Sequence, residues 1–215
     1  MLNSIELEII QRKNYLQKKQ IKSIYFGGGT PSLLNSDELE KILASIYKTH
    51  EINKNVEITI ECNPDDLSFS KLESYKKIGI NRLSIGVQSF NNGDLKFMNR
   101  AHNLQCSINS INNAKKAGFK NITIDLIYGV PKQTLKDWEK ALEIIFKLGV
   151  QHFSAYSLTV EKHTQLYHLI KTNELQVLNE EETIKQFNLL VKKAEENGFL
   201  HYEISSFGLS GYFSK

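Results

Sequence analysis

The sequence predicts an α/β fold built on a parallel sheet that curls into an open, partial barrel. Short apolar segments alternate with amphipathic helical segments between residues 21 and 197, and the links are a few residues long. That alternation marks strand–helix–strand units and a parallel sheet. Five strand segments follow one another in this way, which leaves a doubly wound sheet or a barrel. The side-chain parity then separates them. One face of each strand is apolar: Val56, Ile58 and Ile60; Leu83, Ile85 and Val87; Ile122, Ile124 and Leu126. The other is small and polar: Thr59 and Glu61; Ser84, Gly86 and Gln88; Thr123 and Asp125; Ser154 and Tyr156. Strands covered by helices on both faces read as continuous Val/Ile/Leu runs. A closed eightfold barrel fills its interior with branched side chains. A polar second face on four strands fits a concave interior that receives a ligand.

Each element has its own signal. Residues 2–18 read as a helix, with Leu2, Ile5, Ile9 and Leu16 on one side. Residues 21–26 form a strand that runs into Gly27-Gly28-Gly29-Thr30-Pro31. Ser36 is the expected N-cap of a helix to about Lys48, striped by Leu39, Ile42, Leu43 and Ile46. Residues 56–62 are a second strand, ended by Asn63-Pro64-Asp65. Ser68 or Ser70 caps the next helix, which Gly79 closes. Residues 82–88 are a third strand, followed by a short helix near 94–98 and a longer one over 104–117. Residues 121–128 are a fourth strand, then a helix over 134–148 stopped by Gly149. Residues 152–158 are a fifth strand, followed by helices over 164–171 and 180–197. Residues 201–206 read as a last strand, and 208–215 carry no pattern.

The totals narrow the function classes. The 215 residues are 40% hydrophobic and 24% charged, with a net charge of +3, as in an ordinary globular domain. The densest basic spots, Lys18-Lys19 and Lys192-Lys193, read as solvated helix faces. Aromatics do not interleave with them, so no nucleic-acid platform is expected. No apolar run reaches membrane-spanning length. The acidic, amphipathic start is not a signal peptide. Cys62 and Cys106 lie far apart, which points to a reducing, cytoplasmic compartment and to no metal site made by this chain alone. The six histidines show no ligand-like pairing; most read as solvated or helix-capping, and His102, beside Arg100, is the one near the candidate site.

Candidate chemistry gathers at the C-terminal ends of the strands, where such sheets place their sites. Three consecutive glycines let the backbone bend sharply and offer bare amides to a ligand. They form neither a P-loop, since no Gly-Lys-Ser/Thr follows, nor a G-x-G-x-x-G turn. Glu61 ends the second strand and Gln88 the third; Asp125 lies late in the fourth, and Tyr156 and Thr159 flank the end of the fifth. Arg100 adds a cation for a carboxylate. Together these groups suit a small ligand with an ammonium, a carboxylate and ribose hydroxyls. Structural alternatives stand beside each: a solvated acid at Glu61, a surface helix residue at Arg100, an ion-paired core acid at Asp125.

Five motifs in order carry a resemblance: residues 25–32 (Tyr-Phe-Gly-Gly-Gly-Thr-Pro-Ser), Glu61-Cys62-Asn63-Pro64, 82–90 (Arg-Leu-Ser-Ile-Gly-Val-Gln-Ser-Phe), 125–134 (Asp-Leu-Ile-Tyr-Gly-Val-Pro-Lys-Gln-Thr) and 202–207 (Tyr-Glu-Ile-Ser-Ser-Phe). Over residues 20–207 the chain resembles the radical S-adenosylmethionine proteins of the oxygen-independent coproporphyrinogen III oxidase type. Its Glu-x-Asn-Pro motif is similar to the haem-chaperone branch. The resemblance implies a parallel partial (β/α)6 barrel, truncated here at its first strand, that holds S-adenosylmethionine against a 4Fe–4S cluster. It implies that Gly27, Gly28, Gly29, Thr30 and Pro31 receive the methionine end, and that Glu61, Gln88, Arg100, Asp125 and Thr159 hold the cofactor. Active family members cleave adenosylmethionine to a 5′-deoxyadenosyl radical; oxidases decarboxylate coproporphyrinogen III, and chaperone-like members bind haem and pass it to an acceptor protein.

One departure stands out. The family holds its cluster on a Cys-x3-Cys-x2-Cys loop ahead of the glycine turn, and no cysteine precedes Gly27. Cys62 has the helix-facing parity of its strand and reads as a structural thiol, and Cys106 as a helix residue. The chain is therefore expected to be a fragment: residues 1–207 the barrel core, 208–215 the start of a further region. A rival reading is a non-catalytic haem- or partner-binding protein that has lost the cluster. A third is an unrelated barrel that uses the glycines as an anion nest.

Overall fold

The computed structural model describes residues 1–17, 19–177 and 179–215. Lys18, part of one expected basic spot and of the expected first helix, lies outside the described residues. Helix α1 (Leu2–Gln11) is shorter than expected, and residues 12–17 form turns. Strand β1 (Ile21–Phe26) enters the glycine turn, and a single 3-10 turn (Pro31–Leu33) leads to α2 (Ser36–Thr49). Its N-cap is Asn35 rather than Ser36. The Asn35 side chain accepts from the Glu38 amide, and Glu38 accepts from the Asn35 amide in return. Capping from Ser36 would place Leu39 at the reciprocal position, where no side-chain acceptor exists.

Strand β2 (Ile52–Cys62) starts four residues earlier than expected, because Ile52 pairs with Ile21. Then come α3 (Phe69–Lys77), capped by Ser68, β3 (Arg82–Gln88), α4 (Asn92–Phe97), α5 (Leu104–Lys116), β4 (Ile122–Tyr128) and α6 (Leu135–Leu148). Thr134 caps α6 and Gly149 ends it in the left-handed conformation. Strand β5 (His152–Ser157), α7 (Gln165–Lys171), α8 (Glu180–Glu196), β6 (Leu200–Glu203) and β7 (Ser206–Gly208) complete the order.

The strands form one sheet in the order β1-β2-β3-β4-β5-β7-β6. β1 to β5 pair in parallel; β7 joins β5 antiparallel, and β6 pairs antiparallel with β7. The expected last strand is thus a hairpin, two short strands around Ile204-Ser205. This is an α/β half-barrel, mostly parallel and curled.

The predicted parity is the organising fact of the packing. Ile58, Ile60, Leu83, Ile85, Ile124 and Leu126 are all buried in the core under the helices, with Leu39, Tyr75, Ile111, Leu142 and Leu190 opposite them. Burying one large apolar side chain of this kind contributes about 1.5–3 kcal/mol. Trp138 of α6 is buried there too, and its indole N–H donates to the Gln186 carbonyl (3.1 Å). Gln186 in turn accepts from the Gly129 amide (2.8 Å) and donates to the Gln133 carbonyl (3.2 Å). This ties α8 to the loop that follows β4. The polar parity lines the concave side.

Candidate functional site

A polar cavity of about 640 Å3 opens at the C-terminal ends of β1 to β5. Gly29, Thr30, Pro31, Glu61, Gln88, Arg100, Asp125 and Thr159 line it, so eight of the ten expected cofactor residues meet in one place. Gly27 and Gly28 stand behind this wall and shape it. A Cβ on Gly27 would lie 2.7 Å from the Tyr25 ring and 3.1 Å from Glu61 Oε1. Gly28 and Gly29 have φ of +75° and +58°, a conformation glycine adopts without penalty.

Glu61 organises this end of the site. Its Oε1 accepts from the Tyr25 hydroxyl (2.9 Å) and its Oε2 from the Gly28 amide (3.1 Å). The glycine turn is thereby clamped to β2. Beyond the turn, the buried Ser32 hydroxyl donates to Asp66 (2.6 Å), which anchors the far side. Burial pushes the Tyr25 hydroxyl pKa up, and the Glu61 carboxylate adds to the effect, so the phenol stays a donor.

Gln88 reaches the cavity through an irregular strand end. Ile85 pairs with Ile124 and Gln88 with Leu126, three residues against two, which is a β-bulge. Gln88 itself has φ +66°, and Asn99, just before Arg100, has φ +54°. Left-handed non-glycine residues cost roughly 1–3 kcal/mol and collect at functional sites. Arg100 Nη2 donates to Asn63 Oδ1 (2.9 Å) and to the Gly86 carbonyl (3.5 Å), which holds the guanidinium over the floor formed by Gly86.

Asp125 lies opposite. The Ser84 hydroxyl donates to its Oδ2 (2.8 Å). Burial raises its pKa, opposed by the hydroxyls of Ser84 and Ser154. Two carboxylates and one guanidinium at the edges of a polar cavity complement a ligand that carries both a cation and a carboxylate. A narrow floor made by Gly86 lets such a ligand approach β3, since a Cβ there would sit 2.8 Å from Gln88 Nε2.

Tyr25, Asn63, Ser84 and Leu158 also line the cavity and were not singled out as site residues. Tyr25 alternates with the buried Ile24, so its inward direction was readable from parity. Asn63 stands out in the sequence only as part of the Glu-x-Asn-Pro motif at the end of β2. The histidine expectation is corrected at two positions. His102 is buried and its Nε2 lies 3.0 Å from the Val87 carbonyl; His152 is buried and its Nε2 lies 2.8 Å from the Tyr202 hydroxyl. Each replaces solvent with protein partners near the site.

The residues present do not fit a 4Fe–4S cluster. Cys62 is buried on the helix side, with its thiol pKa pushed up by burial and by Asp66. Cys106 sits on α5, its thiol also pushed up by burial. Among the described residues no three His, Cys, Asp or Glu side chains group to hold a metal. No described helix is long and apolar enough to cross a membrane.

Comparison with known proteins agrees with the fold. The Radical SAM superfamily profile matches residues 5–145. Heme chaperone HemW of Bacillus subtilis (strain 168) is 36% identical over 215 residues, which is 100% of this chain and 57% of that protein. Radical S-adenosyl methionine domain-containing protein 1, mitochondrial, of Danio rerio is 32% identical over 93% of this chain and 45% of its own length. The solved structure of coproporphyrinogen III oxidase HemN from Escherichia coli superposes with a TM-score of 0.83 at 24% identity, covering 98% of this chain and 48% of that one. The chain spans about half the length of these relatives.

Proposed function

The chain belongs to the radical SAM superfamily, and from that premise we propose that its polar cavity binds S-adenosylmethionine in a haem-chaperone-like protein. One observation carries the reading: Glu61, Gln88, Arg100 and Asp125, from three strand ends and one loop, converge with the glycine turn on a single cavity. In this reading the turn and Glu61 receive the methionine ammonium. Arg100, already aimed by Asn63, receives its carboxylate. Asp125 and Gln88 take polar groups of the nucleoside, and Thr159 closes the wall beside them. Each hydrogen bond to a charged partner contributes about 1.5–3 kcal/mol.

Haem is the proposed cargo, with an acceptor protein as partner. The names of the relatives at 36% identity favour this over coproporphyrinogen oxidation. A second reading, a haem- or partner-binding protein without radical chemistry, is favoured by the cysteines, which suit no cluster. The coding sequence upstream of Met1 separates them: an in-frame Cys-x3-Cys-x2-Cys supports the enzyme-like reading, and a start site without cysteines supports the second. Calorimetry tests the cavity. Adenosylmethionine is expected to bind, and Gln88→Ala or Asp125→Ala to weaken binding by about 1–3 kcal/mol. A preference for a simple sugar phosphate over adenosylmethionine would overturn the assignment.

A further inference from the structure

Beneath the polar cavity the half-barrel contains a smaller one of about 140 Å3. Tyr25, Ser84, Asp125 and Tyr156 line both and form the partition. Thr59, Arg82, Thr123 and His152 line the lower one alone. Arg82 is 2% exposed and His152 1%. These two side chains are inward residues of β3 and β5, so the strand alternation itself puts them in the lumen.

Both bring a polar atom that the protein leaves unpartnered. Arg82 donates from Nη1 to Glu57 (3.0 Å) and from Nη2 to Thr123 (2.6 Å). Its Nε–H meets no acceptor among the described residues. His152 Nε2 lies 2.8 Å from the Tyr202 hydroxyl, and that hydroxyl already accepts the Ser214 amide (3.1 Å). Nε2 and this hydroxyl share one hydrogen bond, whose direction follows the imidazole tautomer. His152 Nδ1 likewise has no partner among the described residues. A buried N–H donor and a buried imidazole nitrogen, both on residues that line one small chamber, call for a polar partner there.

Charge selects which acceptor. Glu57 already neutralises Arg82, at 3.0 Å. Asp125 forms the roof. An anion would meet that carboxylate across a few ångströms of low-dielectric space. A neutral acceptor that can also donate upward satisfies every group, and the volume suits roughly four waters at about 30 Å3 each.

We propose that this chamber is a built hydration site: its waters accept from Arg82 Nε, hydrogen-bond His152 Nδ1, donate to Asp125, and keep that carboxylate ionised at the floor of the cavity above. The role in cofactor binding rests on the function proposed above; the chamber does not. The titratable and charged groups facing Asp125 are Tyr25 from β1, Glu61 from β2, Arg82 from β3, and His152 and Tyr156 from β5. Burial and Glu61 push its pKa up, and Arg82 and two hydroxyls hold it down. Chamber water adds to the second group.

Thr59→Ile places extra apolar volume in the chamber wall and replaces no proposed cofactor ligand. The readout is the carboxyl 13C NMR titration of Asp125 in protein without any ligand, assigned with Asp125→Asn. The midpoint is expected to rise by at least one pH unit. An unchanged midpoint in a folded variant overturns the proposal. A high-resolution crystal structure of the unaltered chain is the second measurement: ordered water within hydrogen-bonding distance of Arg82 Nε and His152 Nδ1 is expected, and a dry chamber or a tetrahedral anion overturns the proposal. If the midpoint moves but adenosylmethionine does not bind, the chamber stands and the cofactor reading falls. If adenosylmethionine binds and the midpoint stays, the reverse holds.

Discussion

Replacing Gly86 by alanine separates the site from the fold. Gly86 lies on the concave face of β3, between Ser84 and Gln88. An added Cβ lands 2.8 Å from Gln88 Nε2, 3.6 Å from Arg100 Nη2 and 3.7 Å from the Cys62 carbonyl. The first contact is too short to persist; the other two are ordinary. Gln88 must swing its amide away, and its own backbone, already left-handed at φ +66°, gives it little room to follow. The amide is then lost to a bound ligand, at roughly 0.5–1.5 kcal/mol for one neutral hydrogen bond. At the upper end of that range the dissociation constant for adenosylmethionine rises about tenfold, or about 1.4 kcal/mol. Folding stability moves the other way. Alanine restricts the unfolded chain and is favoured over glycine in a strand by about 0.5–1 kcal/mol. Titration calorimetry and a urea melt of the same sample read both quantities. Unchanged affinity, or weaker binding that tracks a loss of stability, refutes the reasoning.

Other perturbations report on the scaffold. Asp94 is buried and accepts from the Ser89 hydroxyl and from Gln133 Nε2, both at 2.8 Å; Asp94→Ala strands two donors and lowers urea-melt stability by about 2–4 kcal/mol. Thr134 accepts the Asp137 amide at the start of α6, so Thr134→Ala costs about 1 kcal/mol in the same assay. Burial, with Arg82, lowers the His152 pKa to about 4, below its ordinary 6.5. The unfolded chain therefore binds this proton first as pH falls. The stability contribution is complete above pH 6.5 and is lost between 6.5 and about 4, up to about 3 kcal/mol. His152→Gln is expected to flatten the stability–pH slope in that window, and an equally steep slope in the variant would count against burial of a neutral imidazole.

The alternation of apolar and polar residues in Ile58–Glu61, Leu83–Gln88 and Ile122–Asp125 was enough to read the concave polar face before any coordinates. The strand bounds of β1 and β3 follow from apolar runs closed by glycine or by a polar end. Other features depend on pairing, which one segment cannot reveal. Ile52 extends β2 only because Ile21 lies beside it. Arg82 and His152 look like surface residues at strand starts until Glu57 arrives from the adjacent β2 and Tyr202 from β6, two strands away. The β6–β7 hairpin escaped because four and three residues are too short to show a period of two. Within the site, the charged residues were legible from their place at strand ends. The Gln88 bulge left one trace, Gly86 inside the strand, a residue that often marks a bulge, but a single glycine does not say which residue is extra. The Asn35 cap was legible in retrospect: only from Asn35 does Glu38 fall three residues on.

The central claim is that one cavity, built from the glycine turn and four strand ends, holds S-adenosylmethionine. Equilibrium titration of the 215-residue chain with adenosylmethionine, repeated with Asp125→Asn, tests it most directly. Saturable one-to-one binding is predicted, weakened at least tenfold by Asp125→Asn while the melting temperature stays unchanged. Absence of saturable binding, or binding that ignores the substitution, would contradict it.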